Sequence, residues 1–357
     1  MAGFTITNNV ALRNWASSRV YEKLVQDILH VAGKGVDESW VVGNTNNYSI
    51  AIPRVALGEG AFRRLHASVN GGQFNTNAAV NPESDYIEVP LTFVYDRTED
   101  IGEVYQDKAG YDLMGAKLDN IRKKLARNIN ALTFAVQFST ALNGAYDKTT
   151  TLIVCNSSTG DPLGAITTAN ANLSEGDEAI GVDYFPTENR QGFVRPTFFA
   201  RLKTATGRYI INSDYGQQML ASGLLNPWKQ GDTAKVEIRD GYCGKIDGVD
   251  FYEVSPILWK LAASYLTVGS TAAADNLFAN VEGAITSSMG TIRGFTSTGN
   301  VKIIDNPNGQ GYRIQPLVHG GCVCISAKSV QMIVNETFAN PVTSAATKLG
   351  VVAPESK

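Results

Sequence analysis

A chain of 357 residues is longer than one hydrophobic core normally grows, so two domains, or one with large insertions, are expected. Its 43% apolar and 18% charged residues describe an ordinary folded protein, and a formal charge of -3 excludes a global attraction to nucleic acid or to an anionic membrane. Four cysteines, Cys155, Cys243, Cys322 and Cys324, are too few and too scattered for a disulfide scaffold.

The first residues, Met1-Ala2-Gly3-Phe4-Thr5, lack the basic and apolar regions of a secretory signal, and no apolar run reaches the length of a membrane span, so synthesis in the cytoplasm is expected. Asn8-Asn9 can cap a helix whose apolar positions are Leu12, Trp15, Val20, Leu24, Ile28 and Val31, stopped at Gly33 and Gly35. Its other face carries Arg13, Arg19, Glu22, Lys23 and Asp27, so this amphipathic arm needs a surface in its own subunit or a neighbour. A short strand is predicted over 48–53. From Phe62 to Ser84 the chain reads as a long hairpin with a loose tip at Asn70-Gly71-Gly72, with Val69 and Phe74 as its main apolar side chains and Arg63 and Arg64 at its base. Such a long segment with so little to build a core is usually functional or disordered.

Ile87, Val89, Leu91, Phe93 and Tyr95 alternate with Glu88, Pro90 and Thr92, the period of a half-buried strand. From Asp112 the period changes. Met114, Leu118, Ile121, Leu125, Ile129, Leu132 and Val136 recur at spacings of four or three, which predicts one helix of roughly 30 residues, about 45 Å long. Further on, a strand is expected at 150–155, a Ser-, Thr-, Gly- and Asn-rich mixed region over 156–190, a helix beginning at 196–202, an extended piece at 209–211 and a short helix at 215–225. The segment 241–254 reads as strand, tight turn at Asp247-Gly248, and strand. The last third is β-rich at 292–295, 301–304, 312–314, 322–325 and 330–334, with a turn at 306–309, and the tail 342–357 has little periodicity and is expected to be partly mobile.

Candidates for chemistry are sparse. The histidines His30, His66 and His319 sit in no metal or nucleophile motif, and His319 precedes an expected Gly320-Gly321 turn. Cys322-Val323-Cys324 lies in an apolar run and reads as core rather than as a metal pair. Glu99, Asp100 and Glu103 resemble an acid cluster, but an exposed connector before a helix N-terminus explains them more simply. Gly33-Lys34-Gly35 lacks the spacing of a phosphate loop and reads as a helix stop. The basic run Arg122, Lys123, Lys124 and Arg127 has two readings. It could touch nucleic acid, or it is a solvated helix face with Asp119 paired to Lys123, and the second is preferred.

The order of these parts resembles the major capsid proteins of tailed bacteriophages, the Hong Kong 97-like fold shared with encapsulins. The amphipathic arm, the long hairpin of 54–92, the strand-to-helix run from Tyr86 to Asn143 and the hairpin over 241–256 carry the likeness. The resemblance implies an α+β fold divided into an N-terminal arm (1–47), an extended loop with flanking strands (48–100), a peripheral domain with a spine helix (101–145), an axial domain (146–284), return strands of the peripheral domain (285–340) and a C-terminal tail (341–357). It implies an icosahedral virion shell of pentamers and hexamers around packaged double-stranded DNA, which the inner face would contact without sequence specificity. Such a shell would assemble in the host bacterial cytoplasm with a portal, and with a separate scaffolding or decoration protein or with none. Arg63, Arg64, Val69 and Phe74 would then touch a neighbouring subunit, as would Leu12, Trp15 and Leu24 of the arm. Leu118, Ile121, Leu125, Ile129 and Leu132 would form the core of the spine.

No catalytic residue, cofactor, metal or membrane is implied. Some members of that family cross-link through a lysine of the extended loop, but residues 35–107 contain no lysine, so that chemistry is expected to be absent. Others begin with a long helical scaffolding segment, for which 1–47 is too short. The alternatives are an encapsulin-like compartment, an enzyme with an unrecognised site, and a phage tail or surface protein, the last opposed by the long helix.

Overall fold

The spacing that begins at Met114 resolves into one 34-residue helix, Leu113–Tyr146. The computed structural model describes residues 49–55, 84–90, 93–95, 98–102, 113–156, 159–177, 185, 190–212, 242–274, 276–287, 290–297, 301–305 and 311–352. In chain order these form β1 (Ser49–Val55), β2 (Ser84–Pro90), β3 (Phe93–Tyr95), β4 (Glu99–Gly102), α1 (Leu113–Tyr146), β5 (Leu152–Val154), α2 (Pro162–Ser174), β6 (Arg190–Val194) and α3 (Pro196–Asn212). There follow β7 (Tyr242–Ile246), β8 (Val249–Glu253), α4 (Pro256–Ala263), β9 (Leu266–Val268), β10 (Thr271–Ala272), β11 (Val281–Thr286), β12 (Thr291–Ser297), β13 (Lys302–Asp305), β14 (Gly311–Gln315), β15 (Val318–Cys324), β16 (Val330–Val334) and β17 (Leu349–Val351).

Alternation along the central strands decides the layering. A six-stranded sheet runs in the order β5-β16-β11-β6-β8-β7. Consecutive residues on three of its strands enter opposite cores: Phe193, Ala284 and Met332 join α1 and α4, whereas Val194, Ile285 and Ile333 join α2 and α3. Both faces are therefore covered, and β6 and β16 are buried at every position. The first core is dominated by rings, with Phe138 4.6 Å from Phe278, 5.7 Å from Trp259 and 5.9 Å from Phe134 between centroids.

The two halves of α1 differ in kind. Over 113–128 it is amphipathic, and Met114, Leu118 and Ile121 pack on Ile101, Ile303 and Ile314 of the three-stranded sheet β13-β14-β4 and on Val301 just before it. Over 129–142 it is buried on nearly every side, carries no charge and enters the ring-rich core. Thr133 donates to Ile129 O at 2.9 Å and Ser139 to Val136 O at 2.9 Å within the helix, while Gln137 Nε2 donates across to Thr291 Oγ1 at 3.2 Å. One rod thus joins two separate cores.

Several expectations change. The mixed region 156–190 contains α2, started by Asp161, whose carboxylate accepts from Leu163 N, and by Pro162 in the first turn. Residues 209–211 are helical within α3, not extended. His319, Gly320 and Gly321 lie inside β15, paired to β12, not in a turn. Glu99 and Asp100 belong to β4 rather than to a connector. The tail is packed as far as Val351: Val342 and Leu349 are in the core, and β17 pairs with β9. β16 lies within the same sheet as β6, β8 and β11. The predicted arm helix, the tip of the long hairpin, the helix at 215–225, the turn at 306–309 and the end of the tail beyond Val352 fall outside the described residues.

Candidate assembly interface

The antiparallel pair β1 and β2 is a two-stranded sheet of its own, in register from Ser49 opposite Pro90 to Val55 opposite Ser84. At 3.4 Å per residue it is a stem about 20 Å long. Among the described residues both strands are edges, and each carries a proline, Pro53 and Pro90, a residue that central strands exclude. Its base is fixed because β2 runs beside β15 and leads within a few residues into β3, which is bonded to β15. A two-stranded ribbon has marginal stability alone. Its far end opens into 56–83, the segment that holds Arg63, Arg64, Val69 and Phe74; these four, like Leu12, Trp15 and Leu24, lie outside the described residues.

Behind the stem, charge fixes α1 to the small sheet. Glu99 Oε1 accepts from Lys124 at 2.6 Å, and its Oε2 is 3.2 Å from Lys117 Nζ. Lys117 and Lys124 are seven residues apart, two helical turns, so one carboxylate reaches both. Burial pushes the Glu99 carboxyl up, and the hydrogen bonds and charges of the two lysines outweigh it, leaving the pKa below the ordinary glutamate value. One residue along the strand, Arg313 donates to both oxygens of Asp100, at 2.7 and 2.8 Å, directly across β14 and β4. Asp119 is 3.7 Å from Arg122 on its own helix, so the expected pairing with Lys123 is replaced by one with Arg122. The predicted spine residues Leu118, Ile121, Leu125, Ile129 and Leu132 are all buried.

The β7–β8 hairpin turns at Asp247 and Gly248, with φ of 49° and 79°, the left-handed pair that a two-residue hairpin needs. Arg190 anchors it. The guanidinium donates to Asn170 O and Oδ1 at 3.1 and 3.0 Å and to Phe185 O at 2.9 Å, while Asn170 Nδ2 donates to Asp247 O at 2.8 Å. A third tie closes the tail: Asn143 donates to Leu349 O at 3.0 Å and accepts from Leu349 N at 2.9 Å. Sequence reading named neither Arg190, Asn170 nor Asn143 as a tie. Single polar residues joining elements far apart in the chain leave no local pattern.

Chemistry of another kind is thinly represented. Burial pushes the Cys322 thiol well up and Cys324 up to about 11, the opposite of what a nucleophile or metal ligand needs. Among the described residues no group of His, Cys, Asp and Glu is placed to hold a metal, and no helix is long and apolar enough to cross a membrane.

No protein family matches the sequence, and no curated relative matches it. Among solved structures the chain is similar to that of Microbacterium phage Oxtober96, with 11% identity and a TM-score of 0.50 over 85% of this chain and 90% of that one. It is also similar to the mature capsid of bacteriophage PhiM1, with 9% identity and a TM-score of 0.49 over 83% and 84%. The virus-like particle from Pyrococcus furiosus gives 9% and 0.45 over 91% and 100%. The first likeness establishes the fold alone, and the lower two carry no further weight. The fold is the α+β, Hong Kong 97-like one that the order of parts in the sequence resembles.

Proposed function

We propose that this chain is the major building block of a closed icosahedral shell, a capsid subunit enclosing the double-stranded DNA of a tailed phage. The observation that carries the reading is the open-edged β1–β2 stem mounted on a frame that α1 stiffens by entering two cores. A ribbon of two edge strands gains most of its stability when another surface covers it, and a sister copy supplies that surface at every position of a closed shell. Weak interactions repeated in this way sum to a stable assembly. In this reading 1–47 and 48–100 are the arm and the extended loop, 101–145 and 285–340 the peripheral domain, 146–284 the axial domain packed about fivefold and sixfold axes, and 341–357 the tail. Arg63, Arg64, Val69 and Phe74 touch the neighbour, as do Leu12, Trp15 and Leu24. Leu118, Ile121, Leu125, Ile129 and Leu132 keep the spine rigid. Portal, scaffolding and decoration proteins are separate chains, assembly takes place in the bacterial host, and no residue is assigned a catalytic role.

Sedimentation and negative-stain microscopy of the purified chain, alone or with a co-expressed scaffold, test this. Closed particles in the megadalton range are expected. A chain that stays monomeric at high concentration and turns over a small substrate overturns the reading.

A further inference from the structure

All the charges of α1 lie in its first half. Lys117, Arg122, Lys123, Lys124 and Arg127 are set against Asp119 on the same helix and Glu99 from β4, an excess of positive charge on a chain whose formal charge is -3. Their partners divide them further. Arg122 is held by Asp119, and Lys117 and Lys124 share Glu99. Lys123 and Arg127 are exposed, and neither has an ion-pair or hydrogen-bond partner among the described residues. They lie on the side of the helix away from Leu118, Ile121 and Leu125, in a straight exposed row with Ala116 and Asn120 at spacings of four, three and four. Four residues of helix set the two cations about 6 Å apart along the axis, within reach of successive phosphates on one strand. An acidic protein patch offers carboxylates at no fixed interval, whereas a nucleic-acid strand offers a regular row of single charges that matches a regular row of cations.

We propose that the exposed row Asn120, Lys123 and Arg127 on α1 binds the phosphate backbone of nucleic acid without regard to sequence. The inference rests on the shell reading, in which a polyanion is enclosed, and it supplies the local attraction that the negative formal charge does not. Arg122 and Lys124, which stand beside these two in the sequence, are engaged in the fold and contribute only their residual field.

The test is fluorescence anisotropy of the full-length chain with a labelled random-sequence DNA duplex over a range of salt. The combined Lys123→Gln and Arg127→Gln variant is expected to lower the slope of log affinity against log salt by about 1.8, at about 0.9 for each phosphate no longer neutralised. Lys123→Arg with Arg127→Lys keeps the slope. Lys302→Gln removes an exposed cation on β13 and leaves the slope unchanged. An unchanged slope in the double glutamine variant, or an equal loss per cation from Lys302→Gln, overturns the proposal. Sedimentation of the same proteins keeps the two readings apart. A chain that forms no particles yet loses slope in the variant retains the phosphate row and removes the shell. Particles with an unchanged slope do the reverse.

Discussion

Phe138 shows how steeply the fold depends on single side chains. Fully buried, it meets Phe134, Phe278 and Trp259 with ring centroids 5.9, 4.6 and 5.7 Å away, so truncation removes apolar area and opens a cavity that three rigid rings cannot refill. Phe138→Ala is expected to cost about 3–5 kcal/mol, a large share of the total stability of a typical domain, and urea denaturation measures it. Glu99 acts through charge instead. Its pKa is lowered in the folded chain, so its contribution is present above the unfolded value and is lost as pH falls through the folded one. In Glu99→Gln the fall in stability on acidification from about pH 5 toward about pH 3 should be shallower than in the unaltered chain, read from denaturation midpoints against pH. Equal slopes would show that Lys117 and Lys124 gain nothing from the carboxylate.

Among the elements, β17 depends on a remote side chain for one of its edges. Asn143 gives Leu349 both hydrogen bonds that a neighbouring strand would give, while β9 serves the other side. Asn143→Ala leaves a backbone N–H and C=O of a core residue without partners and is expected to cost about 1–3 kcal/mol. Proteolytic cleavage within 341–352 should accelerate before any other site is cut; an unchanged pattern would mean that β9 and the burial of Leu349 suffice. The same tie explains why the tail is illegible in the sequence, since it carries no period and is held by a side chain 206 residues away. Where order is local, the pattern is readable: α1 follows from its stripe, and the β7–β8 hairpin from Asp247-Gly248. Between those extremes, α2 is hidden by its Ala, Thr and Asn, although Asp161-Pro162 marks its start and Ile166, Ala169 and Leu173 its buried face. Tyr209-Ile210-Ile211 has strand propensity that the continuing helix α3 overrides. The spine residues can be named in advance because amphipathic spacing states them. The roles of Arg63 and Phe74 rest instead on the order of parts.

For the whole molecule, the decisive question is whether the limb between β1 and β2 serves its own chain or a sister. Among the described residues, the three cores of the frame are filled by side chains from Phe93 onward. Val55 and Ser84 sit directly opposite each other, so an Asn-Gly pair in place of 56–83 closes the hairpin as a two-residue turn without disturbing the register. The shortened chain should keep the denaturation midpoint of the full chain, because every described core residue is retained and the stem exchanges a long loop for a short one. Under the proposed shell reading particles should nevertheless vanish, since the surface that each copy is proposed to lay on the next is gone. Light scattering and microscopy read the second result independently of the first. Particles of normal size from the shortened chain would show that the limb is dispensable for assembly, and a collapse of the midpoint would show that it belongs to the fold of its own subunit.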